Sequence, residues 1–155
     1  MNLPHRIELT ARKKLIGFST KTSFQDNKTT LIWRQFMMRR KEITNRISDK
    51  LFSLQIYPDN FTPDQSFTKY ALAEVSDFGN NPADFETLEL QAGKYLVFSY
   101  QGKAENGPEL FSYIFQTFIP ENKFEVDSRP HFEVFGEDYD PADENSQEEI
   151  WIPIK

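Results

Sequence analysis

The sequence contains no cysteine, and this absence removes several kinds of chemistry. Without a thiol the chain can form no disulfide, thiolate zinc site or iron–sulfur cluster, and it has no cysteine nucleophile. Histidine is nearly as scarce, since His5 and His131 are the only two. A site with two histidines and one carboxylate would have to use His5, close to the first residue of the chain. We therefore expect no metal and no other cofactor, including haem.

Long apolar runs are also missing. No stretch approaches 18 uncharged apolar residues, and residues 1–10 include Pro4, His5, Arg6 and Glu8 where an export signal would be apolar. The chain is therefore expected to be soluble and cytoplasmic, without a membrane partner. Its six glycines form no phosphate-binding loop, and no serine lies in a Gly-x-Ser-x-Gly context. The usual catalytic motifs are absent.

Basic residues are fewer than acidic ones, 18 against 24, so the formal net charge is -6. This balance argues against direct nucleic-acid binding by the whole domain, which would need clustered positive charge. Residues 28–50 nevertheless hold seven basic side chains, whereas residues 121–149 hold eleven acidic ones. The basic run could contact nucleic acid or an acidic partner. The favoured interpretation is a solvated helix face, partly neutralised by Glu42 and the acidic loop.

A chain of 155 residues is long enough for one self-sufficient core, and its sequence repeats itself. Residues 7–16 (IELTARKKLI) match residues 88–97 (LELQAGKYLV) at a constant offset, with five identities. A missed repeat would mislead any prediction of the fold. We predict a single domain over residues 1–155, built from related halves at about 1–78 and 84–155.

Each copy of the repeat is followed by an apolar run, a helical pattern and two strand-like segments. The first helix is predicted from about residue 27 to Ile47, with its core stripe formed by Ile32, Phe36, Ile43 and Ile47. The second is predicted to begin at residues 106–108 and to end at Pro120. The remaining strands are expected at residues 51–57, 70–76, 124–135 and 149–154. This order is an α+β fold of duplicated βαββ units, with pseudo-two-fold symmetry, antiparallel sheets, helices on one face and a central groove.

Such a groove is where a ligand pocket would form, so strand residues facing it are the candidates. Alternation on the last strand places Glu149 and Trp151 on one face and three isoleucines on the core face. A carboxylate beside a tryptophan either faces solvent or lies in the groove, where it suits a cationic ligand. Glu133 presents the same ambiguity on the preceding strand. A helical cluster around Trp33 and Phe36 is more typical of core packing than of a cofactor site.

Six segments together resemble the GyrI-like small-molecule-binding family, which has the SOUL/GyrI-like fold. They are WRQF at 33–36, FSLQIY at 52–57, ALAEV at 71–75, LQAGKYLVF at 90–98, RPHFEVF at 129–135 and EIWIPI at 149–154. In bacteria this family forms the effector-binding domain of AraC-type and MerR-type multidrug regulators of transcription, and it also occurs as stand-alone proteins. The resemblance covers essentially the whole chain.

The resemblance implies a groove that takes bulky compounds, often cationic and aromatic, around an acidic residue. It would place Glu149 in the acidic role, while Glu133 occupies a second position where the family usually has glutamate. Which of the two glutamates points inward stays open at this stage. The aromatic walls implied by the resemblance are Tyr57, Tyr100 and Trp151 on strands, with Trp33 and Phe36 on the first helix.

The sequence shows no DNA-binding segment before the first strand of the repeat. The favoured hypothesis is therefore a stand-alone module, monomeric or homodimeric, that binds or sequesters a small molecule without catalysis. One alternative is a hydrolase of electrophilic natural products that contain a cyclopropane, in which Glu149 would activate water. Another is a protein-binding inhibitor of the gyrase-inhibitor type, which would present residues 34–46 or 138–149 to its partner.

Overall fold

A computed structural model describes residues 3–155, whose eight strands form one antiparallel sheet. The strands are β1 His5–Thr10, β2 Lys13–Thr22, β3 Arg46–Ile56, β4 Phe67–Val75, β5 Glu86–Leu90, β6 Gly93–Gln101, β7 His131–Gly136 and β8 Gln147–Pro153. Their order across the sheet is β1-β6-β8-β7-β3-β4-β2-β5. The predicted α+β class with an antiparallel sheet is confirmed.

The two halves of the sheet exchange their first strands. β1 pairs with β6 of the second half, with Thr10 opposite Gly93, and β5 pairs with β2 of the first half, with Lys13 opposite Leu90. Residues 11–12 and 91–92 are exposed links between these strands. The βαββ prediction was therefore wrong in its count, because two strands precede each helix. The prediction found the repeated segments 7–16 and 88–97 but did not divide them, whereas the structure divides each segment into the end of one strand and the start of the next.

Helix α1 spans Thr29–Arg39 and is shorter than predicted. A single 3-10 turn follows, after which Ile43 is extended, the Thr44 amide donates to Asn81 Oδ1 at 3.1 Å, and the Asn45 side chain donates to the Asp77 carbonyl oxygen at 2.7 Å. These bonds to a distant loop replace the bonds that would continue the helix. Ile32, Phe36 and Ile43 are buried as predicted, but Ile47 lies on β3 and is 58% exposed.

The second helical segment begins with α2, Gly107–Tyr113, where Pro108 occupies the first turn as predicted. It continues through a π-helical turn, Ile114–Phe118, and ends with α3, Ile119–Glu121. Pro120 therefore does not end the run. It lies two residues after the π-helical turn, and the run ends at Glu121, the next residue.

Two apolar clusters attach the helices to one face of the sheet. In one, α1 packs on β2 and β4; in the other, Leu110 and Ile114 pack on β6 and β8. A third cluster fills the opposite face and joins Leu15 of β2 to Tyr95 of β6, although these strands lie far apart in the strand order. The sheet therefore curls around this third cluster. The central strands β7 and β3 lie between the regions covered by the two helices.

Candidate ligand-binding site

The two central strands carry polar side chains on the face that bears the helices. Alternation places Ser53 and Gln55 of β3 there, paired respectively with Glu133 and His131 of β7. On the opposite face the same strands contribute Phe52, Leu54 and Phe132 to the curled core. The middle of the helical face is therefore polar, whereas the flanking regions beneath the helices are apolar.

A buried lysine lies within this polar patch. Lys69 of β4 is only 7% exposed, and its Nζ donates to Gln55 Oε1 at 2.9 Å and lies 3.9 Å from Glu133 Oε2. Gln55 Nε2 in turn donates to Glu133 Oε1 at 3.5 Å. Burial lowers the pKa of Lys69 and raises the pKa of Glu133, since each charged form loses water, and their mutual attraction opposes both changes. Lys69 is thus an internal counter-ion for Glu133.

A second carboxylate on this face, Glu148 of β8, lies near Glu133 and the hydroxyl of Tyr139. Partial burial, together with repulsion from Glu133, raises the pKa of Glu148 to about 7. Burial also raises the pKa of Tyr139, and the neighbouring Glu148 charge adds to this effect. In residues 3–155 no lysine, arginine or histidine lies within 4.0 Å of the Glu148 carboxylate.

Aromatic rings surround one end of the polar patch. Tyr57 contacts His131 edge to face, with ring centroids 5.1 Å apart, and Phe115 from the second helical segment approaches His131 at 6.1 Å. Phe61 and Phe67 pack on Tyr57 at 4.7 and 5.0 Å. Burial lowers the pKa of His131 to about 4 and raises the pKa of Tyr57 to about 12, so both are neutral at physiological pH. The space between these rings and Glu133 has a volume of only about 10 Å³.

A much larger groove, of about 820 Å³, lies near the other end of β7 and β8, where the pairing of these strands stops. It is bordered by Tyr100, Leu110, Phe135 and Glu148 from the helical face. Glu109 of α2 lies at the rim and is exposed. The volume falls within the range of small-molecule pockets, and the lining combines aromatic and apolar surface with a partly buried carboxylate.

Glu149 and Trp151 point to the face opposite the helices. Trp151 is 8% exposed and stacks on Phe132 in the curled core, with centroids 5.3 Å apart. Glu149 borders the large groove, but it accepts a bond from Trp151 Nε1 at 3.2 Å and lies 2.9 Å from Arg6 Nη1. Arg6 also lies over the Trp151 ring at 5.6 Å. Their predicted roles as ligand contacts stay predictions.

The other predicted contacts lie on the helical face. Trp33 donates from Nε1 to Ser53 Oγ at 3.3 Å and packs against Phe135 at 5.1 Å, which places it beside the central strands. Tyr100 borders the large groove and donates to the Lys103 carbonyl oxygen at 3.1 Å. Phe36 is completely buried beneath α1, so it supports Trp33 from within the core. The structure therefore brings Trp33, Tyr57, Tyr100 and Glu133 to one face and separates them from Glu149 and Trp151.

Sequence reasoning missed Gln55, Lys69, Tyr139 and Glu148. A signal for Lys69 was present, because the alternate residues of β4 are Phe67, Lys69, Ala71, Ala73 and Val75, and all five are buried. A lysine that alternates with buried apolar residues along a strand is itself directed into the protein, and a buried ammonium group requires a polar or acidic partner. A comparable signal marks Glu148, because the alternation that places Ile150 and Ile152 on the core face of the last strand places Glu148 on that face as well.

The basic run at residues 28–50 is partly neutralised, as the favoured interpretation expected. Arg39 pairs with Glu42 and with Asp84, while Arg40 and Arg46 both pair with Glu137 of the acidic segment. These ion pairs neutralise part of the positive charge with which the basic run would bind a nucleic acid or an acidic protein.

Within residues 3–155, no three histidine or acidic side chains are grouped so as to hold a metal ion. No helix in the same part of the chain is both long enough and apolar enough to cross a membrane.

Comparison with known proteins identifies the family. The family described as Cass2, the integron-associated effector binding proteins, matches residues 6–154, and the chain belongs to it. It is thus a GyrI-like effector-binding domain. The transcriptional regulator BrlR of Pseudomonas aeruginosa is 29% identical over 124 residues, which are 79% of this chain but only 45% of the regulator. The match therefore spans less than half of that protein.

Two solved structures with the same fold are SAV2435 and VCH_CASS2. SAV2435 bound to tetraphenylphosphonium superposes with a TM-score of 0.77 at 18% identity, over 98% of this chain and 94% of the other. The integron cassette protein VCH_CASS2, from the mobile metagenome of Vibrio cholerae, gives 0.74 at 18% identity, over 97% and 95% of the two chains. At these identities the likeness establishes the fold.

Proposed function

We propose that the protein binds small aromatic organic cations in the large groove beside α2, at the end of β7 and β8. The observation that carries this proposal is the partly buried carboxylate of Glu148, which borders this groove together with Tyr100 and Phe135 and lies near Glu133. The membership of the chain in an effector-binding family supports it, as does the tetraphenylphosphonium bound by the similarly folded SAV2435.

The physical case rests on complementarity between the groove and such a ligand. Apolar rings gain free energy when they leave water for surfaces such as Phe135 and Tyr100. A ligand without charge would leave a partly buried carboxylate uncompensated, whereas a cation offsets its desolvation. The aromatic faces add cation–π attraction when the charge is desolvated. A cation with aromatic substituents satisfies all three conditions.

The test compares two ions of the same shape and opposite charge. Tetraphenylphosphonium should raise the melting temperature in differential scanning fluorimetry, while tetraphenylborate should not. Ligand at about 100 times Kd adds roughly 2.7 kcal/mol, which for a domain of this size corresponds to a shift of about 5–10 °C. Equal shifts with both ions would indicate apolar binding alone, and no shift with either would contradict the proposal.

A second candidate function, hydrolysis, is favoured by one observation. Glu148 has a pKa of about 7 and lies beside the Tyr139 hydroxyl, and a carboxylate with such a pKa can act as a general base near neutral pH. This residue replaces Glu149 as the candidate for activating water, because Glu149 is engaged by Arg6 and Trp151. Mass spectrometry after incubation with cyclopropane-containing electrophiles distinguishes the two functions: recovered intact compound indicates binding only, and a hydrolysed product that depends on Glu148 indicates an enzyme.

A further inference from the structure

β1 is an edge strand of the sheet, and one side of its backbone has no neighbouring strand. It pairs with β6, and no other strand among residues 3–155 lies on its outer side. The Ser99 amide donates to the Pro4 carbonyl oxygen at 3.0 Å, so these two residues form a hydrogen-bonded pair of the antiparallel ladder. Alternation then turns the N–H and C=O groups of Ile7 and Leu9 away from β6. Backbone groups that point outward from an edge are a template for another strand.

The side chains at these positions are apolar and exposed. Ile7 lies opposite Leu96 and Leu9 lies opposite Lys94, so both project from the helical face of the sheet. Ile7 is 55% exposed and Leu9 is 78% exposed, so the second helical segment leaves them largely uncovered. Soluble proteins generally protect a sheet edge with charge, proline or a covering element. Two exposed aliphatic side chains beside an outward-facing backbone therefore indicate a contact surface.

The other edge of the sheet, β5, is polar at the equivalent positions. Counted back from the exposed link that follows each strand, Ile7 corresponds to Thr87 and Leu9 corresponds to Glu89. Both of these β5 residues are exposed. The two halves of the fold therefore share the same edge geometry, but only β1 presents an apolar stripe. This contrast favours a contact that is specific to β1.

We propose that β1 pairs with β1 of a second copy of this chain, antiparallel and about a two-fold axis at Ile7, so that the two sheets become continuous. The charges on the other face of β1 select this register. With Ile7 opposite the partner's Ile7, Arg6 lies opposite the partner's Glu8, and the symmetry repeats this pair. The neighbouring two-fold registers, centred on Arg6 or on Glu8, would place like charges directly opposite each other, which is destabilising.

The groups needed for this pairing are accessible. The side chains of Arg6 and Glu8 are 43% and 42% exposed. On the helical face the pairing brings the exposed side chains of Ile7 and Leu9 from both copies together, so that they leave water. Because β1 has only six residues, the interface is small and the dimer is weak, with a Kd between about 1 µM and 1 mM. This assembly is independent of the ligand proposed above.

The first test is sedimentation equilibrium of the whole chain from about 5 µM to about 1 mM. The wild type should shift from monomer towards dimer and no further, because pairing of one edge about a two-fold axis closes on itself. Ile7→Lys should weaken association by about tenfold or more, since two lysines would face each other at the centre of the pair. The matched control Thr87→Lys, at the equivalent position of β5, should keep Kd within about threefold of wild type.

A charge exchange tests the register. Arg6→Glu and Glu8→Arg each place like charges opposite each other in a homodimer, so either variant alone should associate about tenfold or more weakly than wild type. An equimolar mixture of the two variants should associate again, because each cross-strand pair between them joins opposite charges. Native mass spectrometry separates the mixed dimer from both homodimers by mass. Recovery in the mixture also shows that the variants are folded.

Amide hydrogen exchange followed by NMR provides a measurement on the wild type alone. The amides of Ile7 and Leu9 should become protected as concentration rises, whereas those of Arg6 and Glu8, which point towards β6, should not change.

Three results would overturn the proposal. The first is a monomer at every concentration, and the second is a dimer that survives Ile7→Lys. The third is growth beyond a dimer that Thr87→Lys abolishes, because it would indicate pairing of β1 with β5 of the next copy.

Discussion

Replacing Glu148 with glutamine should make the protein more stable above neutral pH, with the gain disappearing in acid. The carboxyl of Glu148 is partly buried beside Glu133, and this environment moves its pKa from 4.5 to about 7. Glutamine keeps the shape and hydrogen-bonding capacity of the protonated form but cannot ionise. The substitution therefore removes the cost of holding a carboxylate there.

The magnitude follows from proton linkage. A raised pKa in the folded state stabilises the protein below the unfolded pKa, and this stabilisation is lost as pH rises through the folded pKa. A shift from 4.5 to about 7 corresponds to about 3 kcal/mol, at about 1.4 kcal/mol for each unit. The difference in unfolding free energy between Glu148→Gln and wild type should therefore grow by about 3 kcal/mol between pH 4.5 and pH 8 and stay constant above pH 8.

Urea unfolding followed by circular dichroism at several pH values measures this difference directly. The matched control is Glu149→Gln, one residue along the same strand and on the opposite face, which removes a partly exposed pair with Arg6. That control should change stability by at most about 1 kcal/mol and show no comparable growth with pH. If Glu148→Gln followed the wild type at every pH, Glu148 would not be a destabilised carboxylate, and the reasoning would be refuted.

Two further predictions concern buried positions. Lys69→Met should lower the unfolding free energy by about 3–5 kcal/mol at pH 8, because it leaves Glu133 as an uncompensated buried charge. The double variant Lys69→Met, Glu133→Leu should recover most of this loss in urea unfolding. Equal stability of the single and double variants would contradict the pairing of Lys69 with Glu133. Gly17→Ala should destabilise strongly, since a Cβ at this position would lie 1.9 Å from the Ala71 carbonyl oxygen. The control Gly107→Ala, in a helical turn with nothing within 4 Å, should be neutral or stabilising by about 0.5–1 kcal/mol, and similar melting temperatures for the two variants would refute the packing argument.

Much of the architecture was determined by patterns local to the chain. The match between residues 7–16 and 88–97 predicted a duplicated fold. Apolar alternation predicted a strand in each central region, but the bounds differed: β3 begins at Arg46 rather than at residue 51, and β7 begins at His131 rather than at residue 124. The start of α2 at Gly107 followed from the adjacent Pro108, whose fixed φ suits a first helical turn. These features depend on neighbours within one turn or one strand, so the sequence displays their causes directly.

Only the tertiary structure decided which strands exchange and which carboxylate has no basic side chain within 4.0 Å among residues 3–155. Alternation assigns Glu148 and Glu149 to opposite faces, but it does not identify which face the helices cover or where the sheet curls. The polar set on the helical face joins Gln55 to Glu133, which are 78 residues apart in the chain. Arg6 reaches Glu149 because β1 pairs with β6 of the other half, and β6 pairs with β8. A counter-ion acts through distance in space, and that distance is fixed by packing rather than by any local pattern of residues.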